Sequence, residues 1–162
     1  MTTIPRTTPG ALYAVGPLDP QAVERAFTLV RPATTHLDLH RWRAFCARRD
    51  PAGRGLRLVA ARDRSRTVRG VCAARGLMHL SLGPILSCPL LVVASPIDPL
   101  GVTEALVAAL LAAARRQARA GILLATGLVE PSVAAALVAR AGASDASGAV
   151  FLACGRDASR LR

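Results

Sequence analysis

Two hydrophobic periods alternate along the chain, and together they predict a mixture of strands and helices. Six apolar runs have the length and the composition of strands, and turn residues or helical segments separate them. These runs cover about residues 12–15, 57–62, 67–75, 89–94, 121–126 and 149–154. Between them the pattern predicts four helices, which begin near residues 19, 37, 98 and 130. No linker divides the 162 residues, so we expect a single domain with its core at about 12–154 and polar tails at 1–11 and 155–162.

Helix boundaries carry local signals. Three of the four helices begin at an acidic residue followed by proline, and these pairs are Asp19-Pro20, Asp98-Pro99 and Glu130-Pro131. An acidic side chain can accept a hydrogen bond from a free N–H of the first turn, and proline suits the first helical position. The first helix should stop before Pro32, the second should cover about Leu37–Arg49, and the fourth should end at Gly142. Gly121 is predicted to be the C-cap of the third helix.

The middle of the chain predicts a β-hairpin. Asp63–Arg66 has the composition of its turn, and Gly70 should either weaken the returning strand or mark a bulge. The pattern leaves Leu77–Ser87 open, as a connection or as an extension of the hairpin. Pro89 is expected near the beginning of the next strand, where a missing N–H is tolerated.

The positive charge of the chain comes from arginine alone. All 21 basic residues are arginine, which GC-rich coding produces, and the net charge is +11. Eleven of these arginines lie between Arg41 and Arg75, against two acids, Asp50 and Asp63. A solvated face is the default interpretation, and a nucleic-acid partner is disfavoured because aromatic residues are few in this stretch. Some arginines could instead contact a cofactor's 3′-phosphate or an acidic substrate.

Apolar segments exclude other classes of protein. None of them is long enough for a membrane span, and the N-terminus lacks the apolar segment of a secretory signal, so we expect a cytoplasmic protein. The four cysteines, which are Cys46, Cys72, Cys88 and Cys154, are too widely spaced for a zinc or dithiol motif. They are expected to be buried thiols, with Cys88 the one that could lie near a cofactor.

Histidine and glutamate provide few candidates for chemistry. His36 and His40 have a spacing that could hold a metal if both are helical, but a third ligand is not apparent and no metal site is predicted. His79 could be a general base beside the fourth strand, and Glu104 could face a cleft. A surface histidine and a solvent-exposed glutamate are the simpler interpretations.

The order of elements, together with three local segments, resembles the GNAT superfamily of acyl-CoA N-acyltransferases. The segments are V-R-G-V at Val68–Val71, L-V-V-A-S-P at Leu91–Pro96 and A-R-A-G-A at Ala139–Ala143. The resemblance implies a mixed α/β fold with a mostly antiparallel central sheet and about four flanking helices. It also implies that the fourth and fifth strands splay apart around acyl-CoA, with the pyrophosphate on the next helix N-terminus. The cofactor-binding residues implied in this way are Val92, Val93, Gly101, Val102 and Thr103.

Several positions depart from the family pattern. In the phosphate loop, the family has arginine or glutamine where this chain has Asp98, and of the three pattern positions only Gly101 matches. If Asp98 caps the helix, its carboxylate takes the place of a phosphate. The fourth strand contains no acid, and Val138 stands where the family often has a catalytic tyrosine. The single tyrosine, Tyr13, is on the first strand, so no catalytic residue is assigned.

Three functional hypotheses follow. The first is an N-acyltransferase that uses acetyl-CoA or another acyl-CoA and acts on a small-molecule or peptide amine, with an atypical cofactor loop. The second is a non-catalytic domain of the same fold that binds a ligand, a partner protein or a second copy of the chain. The third and weakest is arginine-driven nucleic-acid binding, which would weaken steeply with salt. Binding of acyl-CoA separates the first from the second.

Overall fold

Six strands form one sheet in the computed structural model, which describes residues 12–50, 55–141 and 149–155. The strands are β1 (Ala14–Pro17), β2 (Arg57–Arg62), β3 (Val68–His79), β4 (Gly83–Val93), β5 (Gly121–Ala125) and β6 (Ala149–Ala153). The α-helices in the described ranges are α1 (Val23–Val30), α2 (Leu39–Ala47), α3 (Pro99–Arg116) and α4 (Pro131–Ala141). The predicted tails and the predicted end of α4 at Gly142 lie outside these ranges.

The sheet is mixed and mostly antiparallel, as the resemblance implied. Its strands follow chain order from β1 to β6, and β4 and β5 are the one parallel pair among them. A parallel pair needs a crossover, and α3 provides it. None of the helices in the described ranges is long and apolar enough to cross a membrane.

Each face of the sheet has its own hydrophobic core. Strand side chains alternate between the faces, so neighbours such as Val71 and Cys72 belong to different cores. One face packs against α1 and α2, where Trp42 is buried and donates from its indole N–H to the carbonyl of Val23 at 2.7 Å. The other face packs against α3 and α4. The two helical layers therefore leave the strand ends as the places where a site can form.

Strand lengths differ from the sequence prediction. Leu77–Ser87 is an extension of the hairpin, because β3 runs to His79 and β4 begins at Gly83, whose φ of 70° suits the tight turn. Pro89 is consequently in the middle of β4, so its predicted place near the beginning is wrong. The bulge predicted near Gly70 is confirmed, since the register between β2 and β3 shifts there and leaves Arg69 as the extra residue.

Helix ends also differ from the predictions. The α-helical part of the first helix ends at Val30, but a 3-10 turn continues through Pro32, because proline needs no intrahelical donor at that position. The second helix is shorter than predicted, and Asp38 caps it. The prediction that Gly121 caps the third helix is wrong: the helix ends at Arg116, and Ala118, with φ of 51°, makes the left-handed turn.

Gly121 has a packing role in the sheet. It is the first residue of β5, where the carbonyl of Leu152 and the ring of Phe151 on β6 occupy the space that a Cβ atom would need. Glycine is therefore required at this position by the approach of the neighbouring strand rather than by the end of the helix.

Candidate functional site

The two central strands separate part-way along the sheet. Pairing between β4 and β5 is confined to Leu86–Cys88 against Ile122–Leu124. Beyond Cys88, β4 continues to Val93, whereas β5 ends at Ala125, one residue after the pairing stops. The space between the diverging ends is called the β4–β5 gap below. It opens on the same edge of the sheet as the N-terminus of α3.

A β-bulge accounts for the divergence. Ala73 pairs with Leu90 and Arg75 pairs with Ser87, so Ala74 on β3 faces two residues, Cys88 and Pro89, on β4. Bulges bend a strand and increase its local twist, and proline is tolerated there because it has no N–H to offer to a neighbouring strand. β4 thus turns away from β5 directly after the last paired residue.

Main-chain groups of β4 point into the β4–β5 gap. The N–H of Ala94 donates to the carbonyl of Arg69 on the β3 side at 2.9 Å. Because antiparallel strands alternate between pairs that exchange hydrogen bonds and pairs that do not, Leu90 and Val92 also bond to β3. The N–H and C=O groups of Leu91 and Val93 therefore point the other way, toward the gap.

Asp98 provides a hydrogen-bond acceptor for the free N–H groups at the N-terminus of α3. Its Oδ1 accepts a hydrogen bond from the N–H of Gly101 at 2.9 Å, which confirms the predicted cap. Its own N–H donates to Oγ of Ser95 at 3.2 Å, and Pro99 has no N–H. Among the first four N–H groups of the helix, only that of Leu100 is left without such a bond inside the described ranges. The carboxylate also lies against Gly101, where any Cβ atom would collide with it.

Val102 and Thr103 belong to the packed part of α3. Both are fully buried, and the N–H of Val102 already makes a helical bond to the carbonyl of Asp98 at 3.3 Å. The hydroxyl of Thr103 donates to the carbonyl of Pro99 at 2.8 Å. Of the five residues that the resemblance implied for cofactor binding, Gly101 is at the helix start and Val93 has main-chain groups facing the gap. Val92 directs its side chain into the α1 core and its main chain toward β3.

Tyr13 joins the site from a distant part of the chain. Its hydroxyl donates to Oδ2 of Asp98 at 3.0 Å, across 85 residues of sequence. Burial raises the pKa of Tyr13, and so do the hydrogen bond to Asp98 and the negative charge of that residue. A hydrogen bond with Ser95 and the positive charge of Arg69 lower it. The sequence contained no signal for this contact, because the motif that includes Asp98 is local and Tyr13 is 85 residues away.

The ionisation of Tyr13 gives a direct test of this contact. A raised pKa means that the neutral phenol is favoured in the folded state, so the contact is kept below pH 10 and lost as pH rises through the raised value. Tyr13 is the only tyrosine in the chain. Titration of the phenolate absorbance should therefore give a pKa above the ordinary value, and Asp98→Asn should lower it. An unchanged midpoint in Asp98→Asn would contradict the contact.

Other candidate residues have structural roles. Nδ1 of His79 accepts hydrogen bonds from the N–H groups of Ser81 and Leu82, at 3.2 and 3.3 Å. His79 is thus half-buried at the β3–β4 turn, the opposite end of the hairpin from the gap, so it does not lie beside the gap. Glu104 is exposed in the second turn of α3.

The predicted histidine pair does not share one helix. His36 precedes α2 with a φ of 73°, whereas His40 is inside it, and both are exposed. The helical condition for a two-histidine metal site is therefore not met. Within the described ranges, no three side chains from histidine, cysteine, aspartate and glutamate gather as a metal site would require.

The cysteines are free thiols. Cys46, Cys72 and Cys88 are buried and Cys154 is half-buried. Burial raises the pKa of Cys46 to about 11, and a hydrogen bond with Cys88 together with burial raises the pKa of Cys72. Sγ of Cys88 donates to the carbonyl of Leu90 at 3.2 Å. The prediction of buried reduced thiols is confirmed for these three.

Solved structures with similar folds identify the architecture. No protein-family model and no curated protein sequence matches the chain. An aminoglycoside 6'-N-acetyltransferase from Acinetobacter baumannii is similar to it with a TM-score of 0.64 and 10% identity, over 82% of this chain and 91% of that one. A GNAT-family acetyltransferase from Staphylococcus aureus has a TM-score of 0.54 and 11% identity, over 70% and 73% of the two chains. The chain has the GNAT fold.

One of the similar solved structures is described as a transcriptional regulator rather than as an acetyltransferase. A transcriptional regulator from Bacillus halodurans is similar to this chain with a TM-score of 0.60 and 15% identity, over 83% of this chain and 94% of that one. In this chain β4 and β5 diverge beyond Cys88, and the helix start beside them is capped by Asp98. The residues that shape the fold are therefore different from those that decide ligand binding.

Proposed function

We propose that the chain is an acyl-CoA-dependent N-acyltransferase that transfers an acyl group to an amine. The observation that carries the proposal is the β4–β5 gap, into which Leu91 and Val93 direct main-chain N–H groups while the start of α3 is at the same edge. A preorganised N–H beside a carbonyl stabilises the charge that develops on its oxygen during acyl transfer. Acetyl-CoA or another acyl-CoA would fit this gap with its acyl end beside β4.

The chain's own contribution would be positioning. Acyl-CoA, when bound, supplies the acyl group as a reactive thioester. The main chain of Leu91 and Val93 would orient that group, and the bulge at Cys88 and Pro89 keeps the gap open. β4 contains no acidic or histidine side chain, so in this proposal the amine attacks the thioester carbonyl as the neutral base. The C–N bond forms as the C–S bond breaks, and the departing thiolate takes the proton that the amine loses and leaves as the coenzyme A thiol. Holding two reactants in place can lower a barrier by several kcal/mol, roughly 7–11 in well-aligned cases.

One observation favours a second candidate, a non-catalytic domain that binds a ligand or a partner protein. The Asp98 carboxylate is bonded to Gly101 and to Tyr13 at the place where a phosphate would approach α3. A negative charge at this place repels a pyrophosphate, and the bonds hold it there. Fixation of Asp98 from two sides supports the view that the phosphate site is closed.

Titration of the native chain with acetyl-CoA and free coenzyme A tests the first candidate. We expect binding on the order of micromolar, measured by calorimetry. S-acetylpantetheine, which lacks the pyrophosphate and the nucleotide, is the matched control ligand. It measures binding in the β4–β5 gap alone, because it has no phosphate to contact α3. Equal affinity for acetyl-CoA and S-acetylpantetheine would mean that α3 contributes nothing. Absence of binding for all of these ligands would contradict the acyltransferase proposal.

A further inference from the structure

A second concave surface lies between α1 and the turn that joins β2 to β3. Its volume is about 500 Å³, which is within the range of pockets that hold small molecules, roughly 300–1,000 Å³. We call it the arginine cavity, because Arg25 from α1, Arg62 from the end of β2 and Arg66 from the turn line it. Thr67 adds a hydroxyl, and Leu29 and Val68 add apolar surface.

The charge of the arginine cavity is strongly one-sided. Nη2 of Arg62 donates to the carbonyl of Pro17 at 3.1 Å, which anchors that side chain. Within residues 12–50, 55–141 and 149–155, the guanidinium groups of Arg25 and Arg66 have no hydrogen-bond or ion-pair partner. Asp19 is the one acid in the lining, and its Oδ1 already accepts the N–H of Gln21 at 3.0 Å as a helix cap. The lining therefore holds three guanidinium groups against one carboxylate, which leaves an excess of two positive charges in the cavity.

The turn that carries Arg66 is held rigidly. Asp63 accepts from the N–H of Thr67 at 2.9 Å and from Nε of Arg69 at 2.8 Å, and its own N–H donates to the carbonyl of Thr67 at 3.0 Å. Arg66 itself has a φ of 62°, in the left-handed region that favours glycine. An arginine is therefore present at a position where local geometry alone would select another residue.

We propose that the arginine cavity binds a small molecule that carries at least two negative charges, as phosphate or carboxylate groups. The planar guanidinium group matches both groups with paired hydrogen bonds, and three of them converge on one cavity. A concave site of this size fits a small anion, whereas nucleic acid follows open grooves with aromatic platforms. The cavity lies on the α1 face of the sheet and α3 packs on the other face, so this site is separate from the β4–β5 gap.

Calorimetric titration with inorganic pyrophosphate and with citrate, at about 0.15 M salt, tests the proposal. We expect both anions to bind the native chain, and Arg25→Gln and Arg66→Gly each to weaken binding about tenfold. Arg64→Gln is the matched control, because this substitution removes the same charge from the same turn. Arg64 is exposed and does not line the cavity. It should change the affinity less than twofold.

Thermal denaturation separates loss of binding from loss of fold. Glycine suits the left-handed backbone of residue 66, so Arg66→Gly should unfold at the native temperature or above while it loses anion binding. The proposal is overturned if neither anion binds at millimolar concentration. Two other results would also overturn it, because each indicates a diffuse effect of charge. One is that Arg64→Gln weakens anion binding as much as Arg66→Gly does. The other is that a short DNA duplex binds more tightly than the anions and that all three variants weaken its binding equally.

Discussion

Asp98→Gln is expected to bind acetyl-CoA about thirtyfold more tightly than the native chain, which corresponds to about 2 kcal/mol. Two causes contribute. The N–H of Gly101 becomes free to donate to a phosphate, and a carboxylate that repels the phosphate disappears. Hydrogen bonds to charged groups contribute about 1.5–3 kcal/mol, and a charge at a helix terminus about 0.3–1 kcal/mol. Calorimetric titration of both proteins at one salt concentration measures the difference.

Asp98→Asn is the matched control for this experiment. Asparagine caps helices as well as aspartate does, so it should keep the bond to Gly101 while removing the charge. We expect it to improve acetyl-CoA binding less than Asp98→Gln, and to lose less stability than Asp98→Gln because the cap is kept. Asp98→Gln should lose about 1 kcal/mol of stability with the cap. If neither variant binds better than the native chain, the start of α3 is not a phosphate site in this protein.

Gly70→Ala is expected to lower the free energy of unfolding by about 2–3 kcal/mol. Gly70 is buried on β3 directly beneath α3, and a Cβ atom there would be 2.7 Å from Cγ1 of Val102 and 3.0 Å from Cδ1 of Leu106. The carbonyl of Val92 would be 3.3 Å away, so the methyl group cannot turn aside. The side chains of Val102 and Leu106, or the helix that carries them, would have to shift. Chemical denaturation measures the loss.

Two variants give this prediction its controls. Gly127→Ala adds the same methyl group at a position with no neighbour within 4 Å, and it should leave the stability nearly unchanged. In the double variant Gly70→Ala/Val102→Ala, the added methyl group enters the space that Cγ1 leaves. The double variant should therefore lose less stability than the sum of the two single losses. Additive losses, or a Gly70→Ala variant as stable as Gly127→Ala, would contradict the close packing of α3 on β3.

Local chemistry along the sequence determined where most elements begin. The β2 strand at Arg57–Arg62 matches its prediction, and the Asp98-Pro99 pair begins α3 as predicted, with Asp98 as its cap. Both follow from interactions within a few residues, namely alternation of side chains along a strand and capping of the first helical turn. For the same reason the sequence alone raised the conflict at Asp98 between a helix cap and a phosphate.

Only the tertiary structure decided the features that depend on distant residues. The hydroxyl of Tyr13 reaches Asp98 across 85 residues, and Gly121 is required by β6 rather than by the end of α3. The sequence placed Pro89 near the beginning of a strand, whereas the bulge beside it, which opens the β4–β5 gap, depends on the register between two strands. Arg25 and Arg66 likewise meet because α1 packs beside the β2–β3 turn. Local sequence fixes the conformation of a segment, whereas packing between segments decides which side chains share a site.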